Sequence, residues 1–121
     1  MKTRVLTIDD SKTMLDMLHA ALDSEGFEVL QAKNGQEGID VLSSETVDVI
    51  ITDVNMPVMD GITFIREARK DDRLRALPIL ILTTETSAEK RQMGRDAGGT
   101  GWIVKPFNTE QLVKVIRKVV H

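Results

Sequence analysis

The stretch VLTIDDSKT, residues 5 to 13, joins a strand-like apolar run to two adjacent carboxylates and then to a segment with helical spacing. Asp9 and Asp10 directly follow the run. Neighbouring carboxylates repel each other, and burying a charged group without a partner is costly. Two acids at the end of a buried strand therefore predict a compensating cation, and other parts of the chain indicate what that cation is.

Five short apolar runs recur along the chain: VLTI (5 to 8), FEVL (27 to 30), VDVII (47 to 51), ILIL (79 to 82) and WIV (102 to 104). The segments between and after them show helical spacing, over about 14 to 22, 35 to 44, 61 to 70, 87 to 97 and 108 to 120. The last four segments have predicted caps at Asn34, Asp60, Thr86 with Glu89 as a capping box, and Asn108 with Gln111. This alternation predicts an α/β domain with a parallel sheet.

Length and composition narrow the functional classes. The 121 residues fit a single domain spanning 1 to 121, and the net charge of −3 gives no general attraction to nucleic acid or to anionic lipid. The absence of cysteine excludes thiolate zinc sites and cysteine nucleophiles. The first apolar stretch is too short for a signal peptide, and no run reaches transmembrane length, so we expect a cytoplasmic protein.

The predicted sheet brings five functional side chains to one edge, because ligands of open parallel sheets bind beyond the carboxyl ends of the strands. Asp9 and Asp10 follow the first run, Asp53 the third, Thr83 the fourth and Lys105 the fifth. Oxygen ligands without His or Cys suit Mg²⁺. A carboxylate flanked by a metal ion and an ammonium group can act as a nucleophile towards phosphorus. The pattern predicts a Mg²⁺-dependent phosphoryl site.

Each of these residues also has a purely structural interpretation. Asp10 with Ser11 could cap a helix, Asp53 could belong to a turn, and Lys105 could be a solvated strand end. Chance capping does not require all of them to follow strands at one edge, so their joint placement favours the functional site. Asp60 is interpreted only as a helix cap.

Four motifs together resemble the receiver domain of two-component response regulators, most closely the stand-alone chemotaxis regulators of the CheY type. They are the DD pair at 9 and 10, DVNMPVMDG at 53 to 61, the threonine that closes ILILT at 83, and KPF at 105 to 107. The resemblance covers essentially the whole chain. It implies a flavodoxin-like fold, a doubly wound five-stranded parallel sheet in the order 2-1-3-4-5 with helices on both faces.

The resemblance also implies roles for the acidic residues. Asp53 resembles the phosphoacceptor, which receives a phosphoryl group from a histidine of a partner kinase. Asp10 and Asp53 resemble direct Mg²⁺ ligands, and Asp9 resembles a ligand that acts mainly through water. The main-chain carbonyl of Asn55 resembles a further ligand. Mg²⁺ is accordingly the expected cofactor.

A second group of residues resembles the family's switch. Thr83 corresponds to the hydroxyl that moves to the phosphoryl group, and Lys105 to the ammonium that contacts it. The Lys105–Pro106 bond is implied to be cis. Trp102 stands at the position of the aromatic switch partner, commonly Tyr or Phe, and could alternatively be a tryptophan that simply packs on the sheet edge.

Two residues near the site, Asn55 and Glu85, resemble the CheY pattern at positions that tune the lifetime of the phosphoryl group. Thr84 stands where the family often has a small residue, and its branched side chain could restrict access of the phosphoryl donor or of water. We expect short-lived phosphorylation that the chain itself assists, both in forming and in losing the phosphoryl group.

The expected function is that of a monomeric signalling module, not an enzyme. Its partners would be a histidine kinase of the chemotaxis type and a flagellar motor switch protein or another protein target, with no nucleic acid and no membrane. We expect no output domain after the last helix, and we expect the output surface on the 87 to 97 helix, the strand with Trp102 and the last helix.

Three alternatives stay open at this point. The first is a phosphate sink or relay intermediate without an effector target. The second is a phosphatase of the haloacid dehalogenase type, although such enzymes usually place a second acid two residues after the nucleophile, where this chain has Asn55. The third is a receiver that never takes phosphate, which the complete set of site residues disfavours.

Overall fold

Strands and helices alternate through residues 2 to 120, the part of the chain that the computed structural model describes. The strands are β1 (Arg4–Ile8), β2 (Glu28–Ala32), β3 (Val49–Thr52), β4 (Ile79–Thr83) and β5 (Gly101–Val104). The helices are α1 (Lys12–Ser24), α2 (Gly35–Ser44), α3 (Gly61–Arg69), α4 (Ala88–Ala97) and α5 (Thr109–Val119). A short 3₁₀ turn, Asp72–Leu74, which the sequence pattern did not predict, follows α3.

The five strands form one parallel sheet in the order β2-β1-β3-β4-β5, which confirms the predicted fold. The strand order reverses between β1 and β3, where ligands of doubly wound folds bind. Ile8 of β1 pairs with Thr52 of β3, so both strands end at the same level. The residues that follow them, Asp9 and Asp53, are therefore brought side by side by the register.

Both faces of the central strands are buried, as their apolar runs predicted. In β3, Val49 and Ile51 pack in the core under α1 and α5, whereas Ile50 packs in the core under α2, α3 and α4. All three side chains are at most 1% exposed. No helix within residues 2 to 120 is long and apolar enough to cross a membrane.

The helix starts follow the predicted caps with one exception. Asn34, Asp60 and Asn108 each accept a hydrogen bond from the main-chain N–H three residues later, as expected of N-caps. The predicted cap of α4, Thr86 with Glu89, is wrong. Ser87 caps α4 instead, because its hydroxyl accepts from the N–H of Lys90 at 3.1 Å.

The other end of α4 is tied to α3 by one arginine. Arg69, the last residue of α3, donates from Nη1 to the carbonyl oxygen of Leu77 at 2.6 Å and to that of Leu74 at 2.5 Å. Its Nη2 donates to the carbonyl oxygen of Gly98 at 2.8 Å. Gly98 ends α4 at φ 109°, a left-handed conformation that favours glycine. We call Arg69 with these three carbonyl groups the Arg69 cluster.

Candidate functional site

Three carboxylates converge beyond the carboxyl ends of β1 and β3. Asp9, Asp10 and Asp53 each offer an oxygen, and these oxygens lie within 4.8 Å of one another. Asp9 and Asp53 are buried, whereas Asp10 is exposed. We call these three residues the acidic site, and its open side is the side of Asp10.

Lys105, which follows β5, bridges the two buried carboxylates. Its Nζ lies 2.7 Å from Oδ2 of Asp9 and 3.0 Å from Oδ2 of Asp53, and its side chain is 11% exposed. Burial lowers the pKa of Lys105, but the hydrogen bonds and charges of Asp9 and Asp53 outweigh burial and raise this pKa above its ordinary value. Lys105 is therefore a charged ammonium group at neutral pH.

The main chain fixes the other oxygen of each buried carboxylate. Oδ1 of Asp53 accepts from the N–H of Val54 at 2.6 Å, and Oδ1 of Asp9 accepts from the N–H of Ser11 at 2.9 Å. Each carboxylate is thus held on one side by a main-chain donor and on the other by Lys105. The site is oriented by the backbone, which leaves the bonds to Lys105 as the exchangeable ones.

The start of α3 packs directly against the main chain of Asp53. A Cβ atom added to Gly61 would lie 1.9 Å from the carbonyl oxygen of Asp53, so only glycine fits there. The N–H of Gly61 donates to the carbonyl oxygen of Val54 at 2.9 Å. Asp60 caps α3 as predicted, by accepting from the N–H of Thr63 at 2.7 Å. Sequence reasoning found the cap and missed the steric role of Gly61, for which the adjacent Asp-Gly pair is the available signal.

The end of β4 connects the site to the start of α4. Thr83 is fully buried, its Oγ1 accepts from the N–H of Glu85 at 3.2 Å, and its carbonyl oxygen accepts from the N–H of Lys105 at 2.8 Å. A hydroxyl that accepts one bond keeps its own proton for donation. Thr83 is therefore positioned beside the lysine and retains a donor.

Glu85 and its neighbours form the turn into α4. The pKa of Glu85 is lowered, chiefly by the main-chain N–H of Ser87, with smaller contributions from the side chain of Ser87, from Asn55 and from Lys90. Asn55 and Thr84 are exposed. The structure thus groups Asn55 and Glu85 beside the site, while the role of the Asn55 carbonyl as a metal ligand stays a prediction.

Trp102 lies away from the three carboxylates, within β5, where it pairs with Ile81. Its ring is half-buried and packs closely on Gly94 of α4. A Cβ atom added to Gly94 would lie 3.2 Å from Cζ3 of Trp102. The guanidinium of Arg91 lies 6.0 Å from the centre of the ring. The structure therefore separates Trp102 from the acidic site and packs it under the helix whose first turn follows Thr83 and Glu85.

The Lys105–Pro106 peptide bond is cis, the isomer that the resemblance implied. The donor set of the acidic site also fits Mg²⁺. Its ligands are carboxylate oxygens. The ammonium group of Lys105 pairs with two of the three carboxylates and carries a single positive charge, so negative charge is left over for a cation.

The family of response regulator receiver domains matches residues 5–117 of the chain. The chain belongs to this family. Receiver domains bind Mg²⁺ in their acidic pocket, and the acidic site of this receiver lies at the corresponding strand ends.

Two solved structures illustrate the likeness. The chemotaxis response regulator CheY4 of Vibrio cholerae is 44% identical, with a TM-score of 0.92 over 99% of this receiver and 100% of that chain. The receiver domain of the sensor histidine kinase PA1611 of Pseudomonas aeruginosa PAO1 is 25% identical, with a TM-score of 0.90 over 98% and 97% of the two chains. The PA1611 structure has a magnesium ion coordinated in its active site cleft.

Curated relatives differ in how much of their length the match covers. Protein PilH of Pseudomonas aeruginosa is 34% identical over 116 residues, which are 96% of both proteins. The response regulator MprA of Mycolicibacterium vanbaalenii is 35% identical over 123 residues, which cover 100% of this receiver and 52% of MprA. The chain thus spans about half the length of MprA and nearly all of PilH.

Proposed function

We propose that this receiver accepts a phosphoryl group on Asp53 from a histidine of a partner kinase, and that phosphorylation changes its affinity for a target protein. The observation that carries the proposal is the ammonium of Lys105 held between Asp9 and Asp53. A buried cation at a nucleophilic carboxylate stabilises the charge that develops on a phosphoryl group in transfer.

The transfer uses the carboxylate of Asp53 as the nucleophile. One carboxylate oxygen forms a bond to phosphorus while the bond from phosphorus to the donor imidazole nitrogen breaks, and the electron pair of the broken bond stays on that nitrogen. Oδ1 is oriented by the N–H of Val54, and Oδ2 is held by Lys105. Lys105 then exchanges its bond to Asp53 for one to a phosphoryl oxygen.

Asp9, Asp10, Asp53 and the main-chain carbonyl of Asn55 are the residues that would hold Mg²⁺. When bound, Mg²⁺ supplies positive charge to the phosphoryl oxygens and offsets the repulsion between those oxygens and the carboxylates. Asp10 is the exposed member of the set, so the ion and the donor reach the site from its side.

The switch runs from Thr83 to α4. We propose that the Thr83 hydroxyl donates to the phosphoryl group and gives up its bond from the N–H of Glu85, which changes the turn that caps α4 at Ser87. Trp102 packs against α4 and responds to its position. The target-binding surface is then α4, β5 and α5, and Asn55, Thr84 and Glu85 set the lifetime of the phosphoryl group.

The likeness to CheY4, whose published description is a chemotaxis response regulator, supports a chemotaxis role. We propose a cytoplasmic, monomeric, single-domain regulator that receives phosphate from a chemotaxis-type histidine kinase and binds a flagellar motor switch protein. Asn55 provides no carboxyl group two residues after Asp53, which supports a signalling role over a phosphatase.

Intact-mass spectrometry after incubation with Mg²⁺ and acetyl phosphate tests the acceptor. The wild-type protein should gain one phosphoryl group and Asp53→Asn none. Asp60→Asn is the matched control, because it makes the same chemical change at an exposed cap that asparagine also satisfies, and it should still be labelled. Labelling of Asp53→Asn, or no labelling of the wild type, would contradict the proposal.

A differential pull-down tests the output. Lysate proteins captured by receiver loaded with Mg²⁺ and beryllofluoride, a phosphoryl mimic, are compared with those captured by unloaded receiver and by Asp53→Asn. Enrichment of a flagellar motor switch protein with the loaded form alone supports the effector role. Capture of kinases or phosphotransfer proteins alone, regardless of loading, indicates a phosphate sink or relay instead.

A further inference from the structure

A cavity of about 380 Å³ lies between the C-terminal half of α4 and the start of β5, away from the acidic site. Its walls include Ile81, Arg91, Arg95, Trp102 and residues 99 to 101. A volume of this size falls within the range of small-molecule sites, roughly 300 to 1,000 Å³. The phosphoacceptor chemistry proposed above makes no use of this cavity.

The cavity carries positive charge without an acidic partner. Arg91 and Arg95 stand four residues apart on α4, so their side chains share one face of the helix. Among residues 2 to 120, no salt bridge involves either arginine, and none of the residues that line the cavity is acidic. Arg95 makes one long hydrogen bond, 3.4 Å, to Oε1 of Gln92. Two guanidinium groups are therefore available to a ligand.

The ring of Trp102 forms part of the same wall. Its Nε1 atom is buried and has no hydrogen-bond partner among the described residues. Because Nε1 is buried, a ligand in the cavity contacts the ring and not the N–H group itself. A shift of the indole N–H resonance would therefore report contact with the ring.

We propose that this cavity is a binding site for a small organic anion, whose carboxylate or phosphate group meets Arg91 and Arg95 beside the Trp102 ring. The side chain of Ile81 supplies an apolar surface for the body of the ligand. Gly99, in the loop between α4 and β5, and Gly101, the first residue of β5, also line the cavity. The cavity lies on the α4 and β5 part of the proposed target-binding surface, but ligand binding there needs no phosphoryl group on Asp53.

The single tryptophan of the chain makes the test direct, because it gives a single indole N–H resonance. We would titrate ¹⁵N-labelled full-length protein with phenyl phosphate, benzoate and the neutral benzyl alcohol, and follow the Nε1–H resonance of Trp102. EDTA in all samples prevents Mg²⁺ from bridging phenyl phosphate to the acidic site. We expect a saturable shift of this resonance with at least one of the two anions and none with benzyl alcohol. The anion that binds more tightly identifies the ligand group as phosphate or carboxylate.

Two arginine variants provide the matched comparison. Arg95→Gln removes a guanidinium from the cavity wall and should raise the dissociation constant about tenfold, because this is the typical effect of losing a charge-assisted hydrogen bond. Arg66→Gln makes the same change on the exposed side of α3 and should leave the dissociation constant unchanged.

Three results would overturn the proposal: no saturable shift with either anion, equal shifts with benzyl alcohol, or equal weakening by Arg95→Gln and Arg66→Gln. Equal weakening by the two variants would mean that the anions respond to the overall charge of the protein and not to a specific site. Labelling of Asp53 is measured separately by intact mass, so a failure here leaves the phosphoacceptor proposal standing.

Discussion

Lys105 and Arg69 are both at least partly buried cations, and they have different kinds of partner. Lys105 faces two carboxylates, which raise its pKa above the ordinary value in spite of burial. Arg69 faces the carbonyl oxygens of Leu74, Leu77 and Gly98, and burial lowers the pKa of its guanidinium. One cation is held by charges and the other by neutral main-chain groups.

The difference separates a functional site from a structural one. The bonds from Lys105 to Asp9 and Asp53 can be exchanged for bonds to other anions, such as phosphoryl oxygens. The carbonyl groups around Arg69 belong to the ends of helices and turns and have no such alternative. The acidic site should therefore tolerate changes of ligand and charge. Changes in the Arg69 cluster, in contrast, should alter only the stability of the fold.

Replacement of Arg69 should have the largest effect on stability. Arg69→Met keeps the apolar stem but leaves the carbonyl groups of Leu77 and Gly98 without the Arg69 donor, and leaves that of Leu74 only the N–H of Leu77 at 3.3 Å. We therefore expect a loss of about 3 kcal/mol in the free energy of unfolding. Urea denaturation measures this loss, and Arg66→Met, one turn earlier on the exposed side of α3, should cost less than about 0.5 kcal/mol. Labelling of Asp53 at a temperature where the variant is folded should be normal. A labelling defect in folded Arg69→Met would contradict the conclusion that Lys105 serves the acidic site and Arg69 serves only stability.

Replacement of Lys105 should have a smaller effect, and one that depends on metal. Lys105→Met leaves the buried carboxylates of Asp9 and Asp53 facing each other. Because the acidic site is open to water on the side of Asp10, we expect the cost to lie below that of a fully buried pair, at about 2 kcal/mol in EDTA. Added Mg²⁺ should recover part of this loss, because the ion supplies the charge that the ammonium supplied. Urea denaturation of both proteins with EDTA and with Mg²⁺ measures the recovery. An equal loss in both conditions would mean that the acidic site does not exchange its cation.

The two cations should also differ at high pH. The pKa of Lys105 is raised in the folded protein, so its contribution is complete below pH 10.5, the ordinary pKa of lysine, and is lost as pH rises through the raised value. The stability difference between wild type and Lys105→Met should then shrink as pH rises through the raised pKa of Lys105. The difference between wild type and Arg69→Met should change less over the same range, because a guanidinium, even with its pKa lowered by burial, starts from a higher pKa than an ammonium group. Urea denaturation at pH 8, 10 and about 11.5 compares them.

The acidic site could be predicted from sequence because its parts obey a topological rule. Asp9, Asp53 and Lys105 each follow an apolar run, and in a parallel sheet those positions meet at one edge whatever the details of packing. The strand order itself came from the resemblance to a family, since alternation of strands and helices fixes the sheet as parallel but leaves its order open.

The Arg69 cluster and the fit of Gly61 could not be predicted in the same way. The partners of Arg69 are main-chain carbonyl groups, which every residue carries and no sequence pattern marks. The contact of Gly61 with the carbonyl group of Asp53 depends on where α3 sits, which tertiary packing decides. Sequence reasoning therefore located the charged groups and missed the groups that hold them in place.

The helix α4 links the acidic site to the Arg69 cluster. We expect changes at its start to have the smallest effect on stability. Its first turn follows Glu85 beside the acidic site, and its last residue precedes Gly98 of the Arg69 cluster. The cap prediction failed there because Thr86 and Ser87 are both good capping residues, and the choice depends on the bond from the N–H of Ser87 to the carboxylate of Glu85 at 3.1 Å.

Ser87→Ala should therefore cost about 1 kcal/mol in the free energy of unfolding, because the N–H of Lys90 loses its acceptor. Thr86→Ala, the adjacent control, should cost less than about 0.5 kcal/mol. If α4 is held mainly at its Arg69 end, the double variant Arg69→Met with Ser87→Ala should lose more than the sum of the single losses, since the helix is then loose at both ends. Strict additivity in urea denaturation would mean that the two ends of α4 are independent, and that a change at the acidic site can move its first turn without disturbing its last.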